Sequence, residues 1–391
     1  MSAASYSPRE MIERLVAFNT VSEHSNMALI NWVADYLDSH GIANRKIFSP
    51  EGDKANLFAT IGPEIEGGVV LSGHSDVVPV KGQAWDSDPF TLVEKDGKLF
   101  GRGTADMKSF LAIALALAPE FKALKPKKPI HIALSYDEEV GCTGVGHMIK
   151  DIVDNLPLPR AAIVGEPSDM KCISAHKGIT AFRTTIRGVA AHSSQPHRGA
   201  NANIAAGRLI EFIFQMAEQA RHARSDPSSG FEPPYTSFQV GIIKGGVANN
   251  IIPQDCFFEW EFRNAPWDDP AALIATFERY SQDTVLPWLR EFAPQAGIET
   301  VTLGSVPPLK PEEEGYAENL VRRITGANRS SVVSYATESG LFQEVGLSTV
   351  VCGPGSIDQA HQPNEFITVS QVDACAEFLR KLATWAANSS D

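Results

Sequence analysis

Four apolar stretches, far apart in the chain, each deliver a metal-ligating type of side chain at or just beyond their carboxyl end: residues 67–76, 130–139, 161–167 and 348–355. Their length and β-branched content read as buried strands of a parallel sheet. Ligands of open α/β sheets gather beyond the carboxyl ends of the strands. His74, Asp76, Glu138, Glu139, Glu166 and, past the fourth stretch, His361 are therefore expected on one rim. Asp106 can join them, because it lies between Gly101 and Thr104 on one side and a helical-looking stretch, 107–124, on the other. Carboxylates and two histidines in one cleft can hold two divalent cations.

At 391 residues the chain exceeds what one hydrophobic core normally supports, so two domains are expected. A formal charge of −13 without a basic cluster argues against nucleic acid and anionic membrane as partners. The five cysteines are dispersed and form no Cys-x-x-Cys pair, which suits reduced thiols better than a disulfide framework. No charged-then-apolar leader and no run of about 18 apolar residues is present, so the chain reads as cytoplasmic.

Ser7, Pro8 and Glu10 form a capping box with proline at the first helical position. A second helix is expected from about Asn26 to Ser39, ended by Gly41. Strand and helix signals then alternate to about Lys177, the pattern of an α/β sheet. From Thr180 the order changes to strand 181–187, helix 203–219, strands 236–244 and 257–263, helix 270–289 and strand 297–303. That is a ferredoxin-like β-α-β-β-α-β unit, inserted before the sheet resumes. The expected division is 1–179 and 306–391 for the sheet domain, with 180–305 as the insert.

Asp76 follows His74 by two residues, a spacing that lets its carboxylate orient the imidazole of a metal-bound histidine. Neighbouring side chains on an extended backbone point apart. One of Glu138 and Glu139 can therefore bind metal while the other serves as a base.

Taken together, residues 74–79, 85–90, 101–108, 135–141 and 165–167 resemble the M20 family of metallopeptidases and deacylases. Residues 135–142, 335–338, 353–356 and 360–365 are most similar to its acetylornithine deacetylase branch. The resemblance covers essentially the whole chain. It implies a zinc-peptidase-like sheet domain, with the insert acting as lid and dimerisation domain of a homodimer. It also implies two zinc ions, for which cobalt or manganese can substitute, bridged by Asp106. His74 and Glu166 would complete one site, and Glu139 and His361 the other. Glu138 matches the general base, and Asp76 would hold His74. A cis Asp106–Met107 peptide bond belongs to the same pattern.

In the insert, His192 matches a histidine that stabilises the oxyanion, commonly in the partner's site. Asn250 and Arg263 match polar substrate contacts. An arginine fork suits the α-carboxylate of an N-acyl amino acid, although Arg263 could instead pair with Glu261 or Asp268. Gly353 and Gly355 could offer backbone N–H groups to that carboxylate. The activity implied is hydrolysis of N2-acetyl-L-ornithine to ornithine and acetate, in arginine biosynthesis. Rivals are a broader N-acyl-amino-acid deacylase, including one for acetylcitrulline, and a succinyl-diaminopimelate desuccinylase. The desuccinylase is disfavoured by the sequence from Tyr335 to Gly340. A binuclear phosphoesterase lacks its usual Gly-Asp-x-His-Gly segment here. A non-catalytic binding protein of the same fold would be expected to have lost at least one ligand or Glu138, and none is missing.

Overall fold

The computed structural model describes residues 4–389. The chain divides into two compact units. The first takes in the residues up to Ala175, Leu309–Val332 and those from Thr337 onward; the second is His176–Pro308 with Val333–Ala336. The short Val333–Ala336 segment was expected with the sheet domain, and no local sequence signal marks its crossing to the second unit.

The first unit is built on an eight-stranded sheet. Six of its strands run in the order Ala43–Phe48, Ala55–Ile61, Ile130–Ser135, Val69–His74, Ala161–Pro167, Ser348–Gly353. The last four are mutually parallel and are the four apolar stretches. Val69–His74, Ile130–Ser135 and Ala161–Pro167 are buried at every position, as expected of strands covered on both faces. Helix Lys108–Ala123 packs on the Val69–His74 strand, with Pro8–Val16 and Val369–Asn388 against it. Helix and sheet approach closely enough that a Cβ at Gly165 would lie 2.0 Å from the Phe110 ring. Ser7 and Glu10 cap the first helix reciprocally.

The second unit is a four-stranded antiparallel sheet in the order Ser237–Gly245, Asp255–Arg263, Ile179–Arg187, Gly297–Val306. Along Asp255–Arg263, Cys256, Phe258, Trp260 and Phe262 point to a core shared with helix Ala202–Ala223. The element order is the ferredoxin-like one. The helix expected over 270–289 is interrupted: it runs Pro270–Tyr280, widens to a π turn over Ser281–Val285, and resumes as Leu286–Phe292. Pro287 has no N–H to give the carbonyl four residues back, so a continuous helix is disfavoured there. Among the described residues no helix is long and apolar enough to cross a membrane, and all five cysteines are free and buried.

Candidate metal centre

His74 is the last residue of its strand, Asp106 stands just ahead of helix Lys108–Ala123, and Glu138–Glu139 turn away beyond Ser135. Glu166 lies near the end of the third parallel strand, and His361 follows the fourth. The rim brings these side chains together. Asp106 Oδ1 is 3.0 Å from His74 Nε2, and its Oδ2 is 3.3 Å from His361 Nε2. His361 Nε2 is also 3.0 Å from Glu139 Oε2, and His74 Nε2 is 3.6 Å from Glu166 Oε1. The Asp106–Met107 peptide bond is cis.

Asp76 does not orient His74 with its carboxylate. The ring Nδ1 meets the Asp76 backbone carbonyl at 2.9 Å, whereas the nearest carboxylate oxygen is 3.6 Å away. The carboxylate is committed elsewhere: it accepts Ser22 Oγ at 2.7 Å and the amides of Glu138 and Glu139 at 3.2 and 3.3 Å. Asp76 thus shapes the turn that presents the two glutamates. Lys54 reinforces that turn from outside, with Nζ 2.6 Å from Asp137 Oδ1.

Sequence reasoning gave Glu365 no role of its own. Its fully buried carboxylate accepts the amides of Gly103, Ala105 and Asp106 and pairs with Arg102 at 2.7 Å. The only sequence signal was its place at the end of the 360–365 motif.

The donor set fits divalent cations. Glu139 Oε1 and Glu166 Oε1 are buried and lack a hydrogen-bond partner, an arrangement that costs free energy unless something outside the protein satisfies it. Ligand atoms of His74, Asp106 and Glu139 cluster within 4.8 Å, as do those of His74, Glu138 and Glu166. Burial, reinforced by Asp106, raises the Glu166 carboxyl well above the usual range, and burial raises Glu138 to about 8. Burial alone would lower His74, but its hydrogen bond to Asp106 and the charge of Glu166 outweigh this and raise it. His361 is lifted to about 10 by its hydrogen bonds to Asp106 and Glu139. So many carboxylates crowded out of water call for protons or cations. Imidazole and carboxylate donors without thiolate suit zinc and similar ions.

In the second unit, His192 is exposed, with Nδ1 2.8 Å from Ser194 Oγ. The Asn250 backbone carbonyl accepts the Ser193 amide at 3.0 Å. Arg263 donates Nε to Glu261 Oε1 at 3.1 Å, one of the two alternatives its position left open. Gly353 and Gly355 do not offer free amides. The Gly353 N–H goes to Ser168 Oγ at 3.1 Å and that of Gly355 to Gln371 Oε1 at 3.3 Å. Glycine is required at 353 for a different reason: a Cβ there would sit 1.9 Å from the Gly165 carbonyl oxygen.

Residues 70–385 match the family described as Peptidase family M20/M25/M40. The chain belongs to the M20 family. This M20 protein is 33% identical over 385 residues to an acetylornithine deacetylase of Pasteurella multocida, covering 95% of this chain and 96% of that one. It is 35% identical over 380 residues to an acetylornithine deacetylase of Myxococcus xanthus, with 95% and 96% covered. Among solved structures, a tripeptidase from Staphylococcus aureus superposes with a TM-score of 0.75 at 17% identity, covering 99% of this chain and 100% of that one. An M20 family metallo-carboxypeptidase from Sulfolobus solfataricus gives 0.73 at 16%, covering 98% and 99%. At such identities these two structures speak for the M20 fold alone.

Proposed function

We propose that this chain is a cytoplasmic, dinuclear zinc amidohydrolase that converts N2-acetyl-L-ornithine to L-ornithine and acetate, a step of arginine biosynthesis, and that it works as a homodimer. The observation that carries the reaction is similarity along nearly the whole chain to acetylornithine deacetylases, at 31–35% identity. The geometry supports it, because a carboxylate between two histidines has a further buried carboxylate, Glu138, beside it.

In this reading His74, Asp106 and Glu166 would hold one ion, and Asp106, Glu139 and His361 the other. Bound ions supply a polarised amide carbonyl and an attacking water of lowered pKa. Glu138 would take a proton from the water that attacks the amide carbonyl carbon and return it to the amine nitrogen as the C–N bond breaks, so that the water oxygen ends in acetate and the amine leaves. Its raised proton affinity suits a group that must hold a proton between two steps. Asp76 fixes the Glu138 amide and Cys142 Sγ meets Glu138 Oε1 at 3.3 Å, so the base starts from a defined position. The second unit, residues 180–305 in the sequence reading, acts as the lid and dimerisation domain. Arg263 binds the substrate α-carboxylate through its terminal amines, Asn250 contributes a polar contact, and His192 of the partner subunit stabilises the oxyanion.

The test is kcat/KM for N-acetylornithine, N-acetylcitrulline, N-acetylmethionine and succinyl-diaminopimelate, with metal analysis of the purified protein. N-acetylornithine should lead, with two zinc ions per chain. A higher value for any other substrate would reassign the specificity, and hydrolysis that survives complete chelation would sink the metal mechanism.

A further inference from the structure

Glu338 is fully buried, and none of the roles above uses it. One carboxylate oxygen accepts Ser72 Oγ at 2.5 Å, the other Ser135 Oγ at 2.8 Å. Both serines are fully buried and lie on adjacent parallel strands, in which His74 is paired with Ser135. Side chains two apart on a strand share a face, so Ser72 moves with His74. Ser135 ends the strand from which Glu138 and Glu139 turn off.

We propose that Glu338 is a positioning residue: by bridging Ser72 and Ser135 it sets the spacing between the strand end that carries His74 and the one that carries Glu138 and Glu139. Main-chain pairing alone already holds the two strands together. A buried carboxylate is a costly addition to such a sheet, and an apolar side chain of similar size would stabilise it at least as well. The carboxylate offers two directed acceptors, one for each strand, which fix a distance that dispersion contacts leave loose. A site that takes His74 from one strand end and Glu138 and Glu139 from beyond the other is sensitive to that distance.

This inference rests on the deacetylase reading for its kinetic arm and on the metal site alone for its spectroscopic arm. The proteins to compare are the wild type, Glu338→Ala, Glu338→Gln, the Ser72→Ala/Ser135→Ala pair, and the triple alanine variant, each loaded with cobalt. Glu338→Ala should change the cobalt d–d absorption and lower kcat by about 10- to 100-fold, with KM unchanged, the scale of loss that misplacing reacting groups by an ångström produces. The serine pair should do the same, and the triple variant should be no worse than either, since all three act through one bridge. Glu338→Gln keeps the shape and can hydrogen-bond both serines, so it should recover the cobalt spectrum and most of the lost kcat. Wild-type spectrum and kcat in Glu338→Ala, multiplying effects in the triple variant, or a glutamine variant no better than alanine would each overturn the proposal. If Glu338→Ala does not fold, the serine pair decides, and wild-type values there overturn it equally. If the wild type binds cobalt but leaves N-acetylornithine intact, the substrate reading fails while the spectra still judge the bridge.

Discussion

Glu365 holds Asp106 from behind: one carboxylate oxygen accepts the Ala105 and Asp106 amides at 2.8 and 3.0 Å, and the other accepts Gly103 N–H and pairs with Arg102. Arg102 and Glu365 are both at most 1% exposed. Replacing Glu365 by alanine would leave the guanidinium buried without its counter-charge, a change that costs about 3–5 kcal/mol. Urea unfolding should show that loss, and Glu365→Gln should show a smaller one. A stability within error of wild type for the alanine variant would mean that the loop is held by something else.

The division proposed for the neighbouring glutamates, Glu138 as base and Glu139 as ligand, makes opposite predictions for their variants. Glu138→Gln should keep both metals while kcat falls at least ~10²-fold, the lower end of general acid–base contributions. Glu139→Gln should instead lose metal, because the oxygen that meets His361 would become an amide or turn away. Metal analysis of the two purified variants decides between these roles.

Metal uptake should release protons. Without cations His361 is raised to about 10, so near neutral pH it carries a proton that an ion must displace, and Glu166 is raised as well. Apparent zinc affinity should therefore climb as pH rises toward about 10 and weaken as pH falls. Calorimetric titrations near neutral pH in PIPES and in HEPES, which bind zinc weakly and differ in ionisation enthalpy, should give different heats, in proportion to the protons released. Equal heats would contradict the protonated site.

His131 provides a pH effect remote from the rim. Its ring is buried, stacked on Phe58 and bonded through Nδ1 to Thr60 Oγ1 at 3.0 Å, and burial lowers it to about 4 from 6.5. Between those values the unfolded chain takes up a proton that the folded chain refuses, so this contribution to stability, complete above 6.5, is lost as pH falls toward 4. His131→Phe should flatten the decline in unfolding free energy across that window. An unchanged slope would place the acid sensitivity elsewhere.

The shared site proposed for the dimer predicts complementation. Inactive His192→Ala and inactive Glu138→Gln subunits, mixed and allowed to exchange, should recover activity, because one cleft then receives an intact Glu138 and an intact His192 from the other subunit. A mixture that stays inactive would place His192 in its own subunit's site or outside catalysis.

What could be read from the sequence was what depends on local pattern. The four buried strands announced themselves as continuous apolar runs, and Ser7–Glu10 as a capping box, because burial on both faces and orphan helix amides each demand particular residues at short spacing. The convergence of His74, Glu139, Glu166 and His361 followed from the rule that parallel strands present their carboxyl ends together. The partners that hold these side chains and Asp106 did not follow. Glu365 meets Asp106 across 259 residues of sequence, and Ser22 meets Asp76 across 54, with no periodicity to mark either pair. Asp76 was assigned to His74 on spacing, yet its carboxylate is captured by the amides of a turn from another strand. Gly353 looked like an amide donor and is instead a place where two backbones touch. Pro287 falls inside the helix expected over 270–289, and the structure breaks that helix with a π turn just before it.

That the centre draws His74 from early in the chain and His361 from near its end has a consequence for biogenesis. A polypeptide whose synthesis has passed Glu166 already carries four of the five proposed ligands, three carboxylates and one imidazole, and lacks only His361. The proposed site that needs His361 forms only once the last parallel strand docks beside Ala161–Pro167, so its occupancy would double as a report that the sheet is complete. Truncated or stalled chains would then take up one zinc ion at most and leave the second to finished molecules.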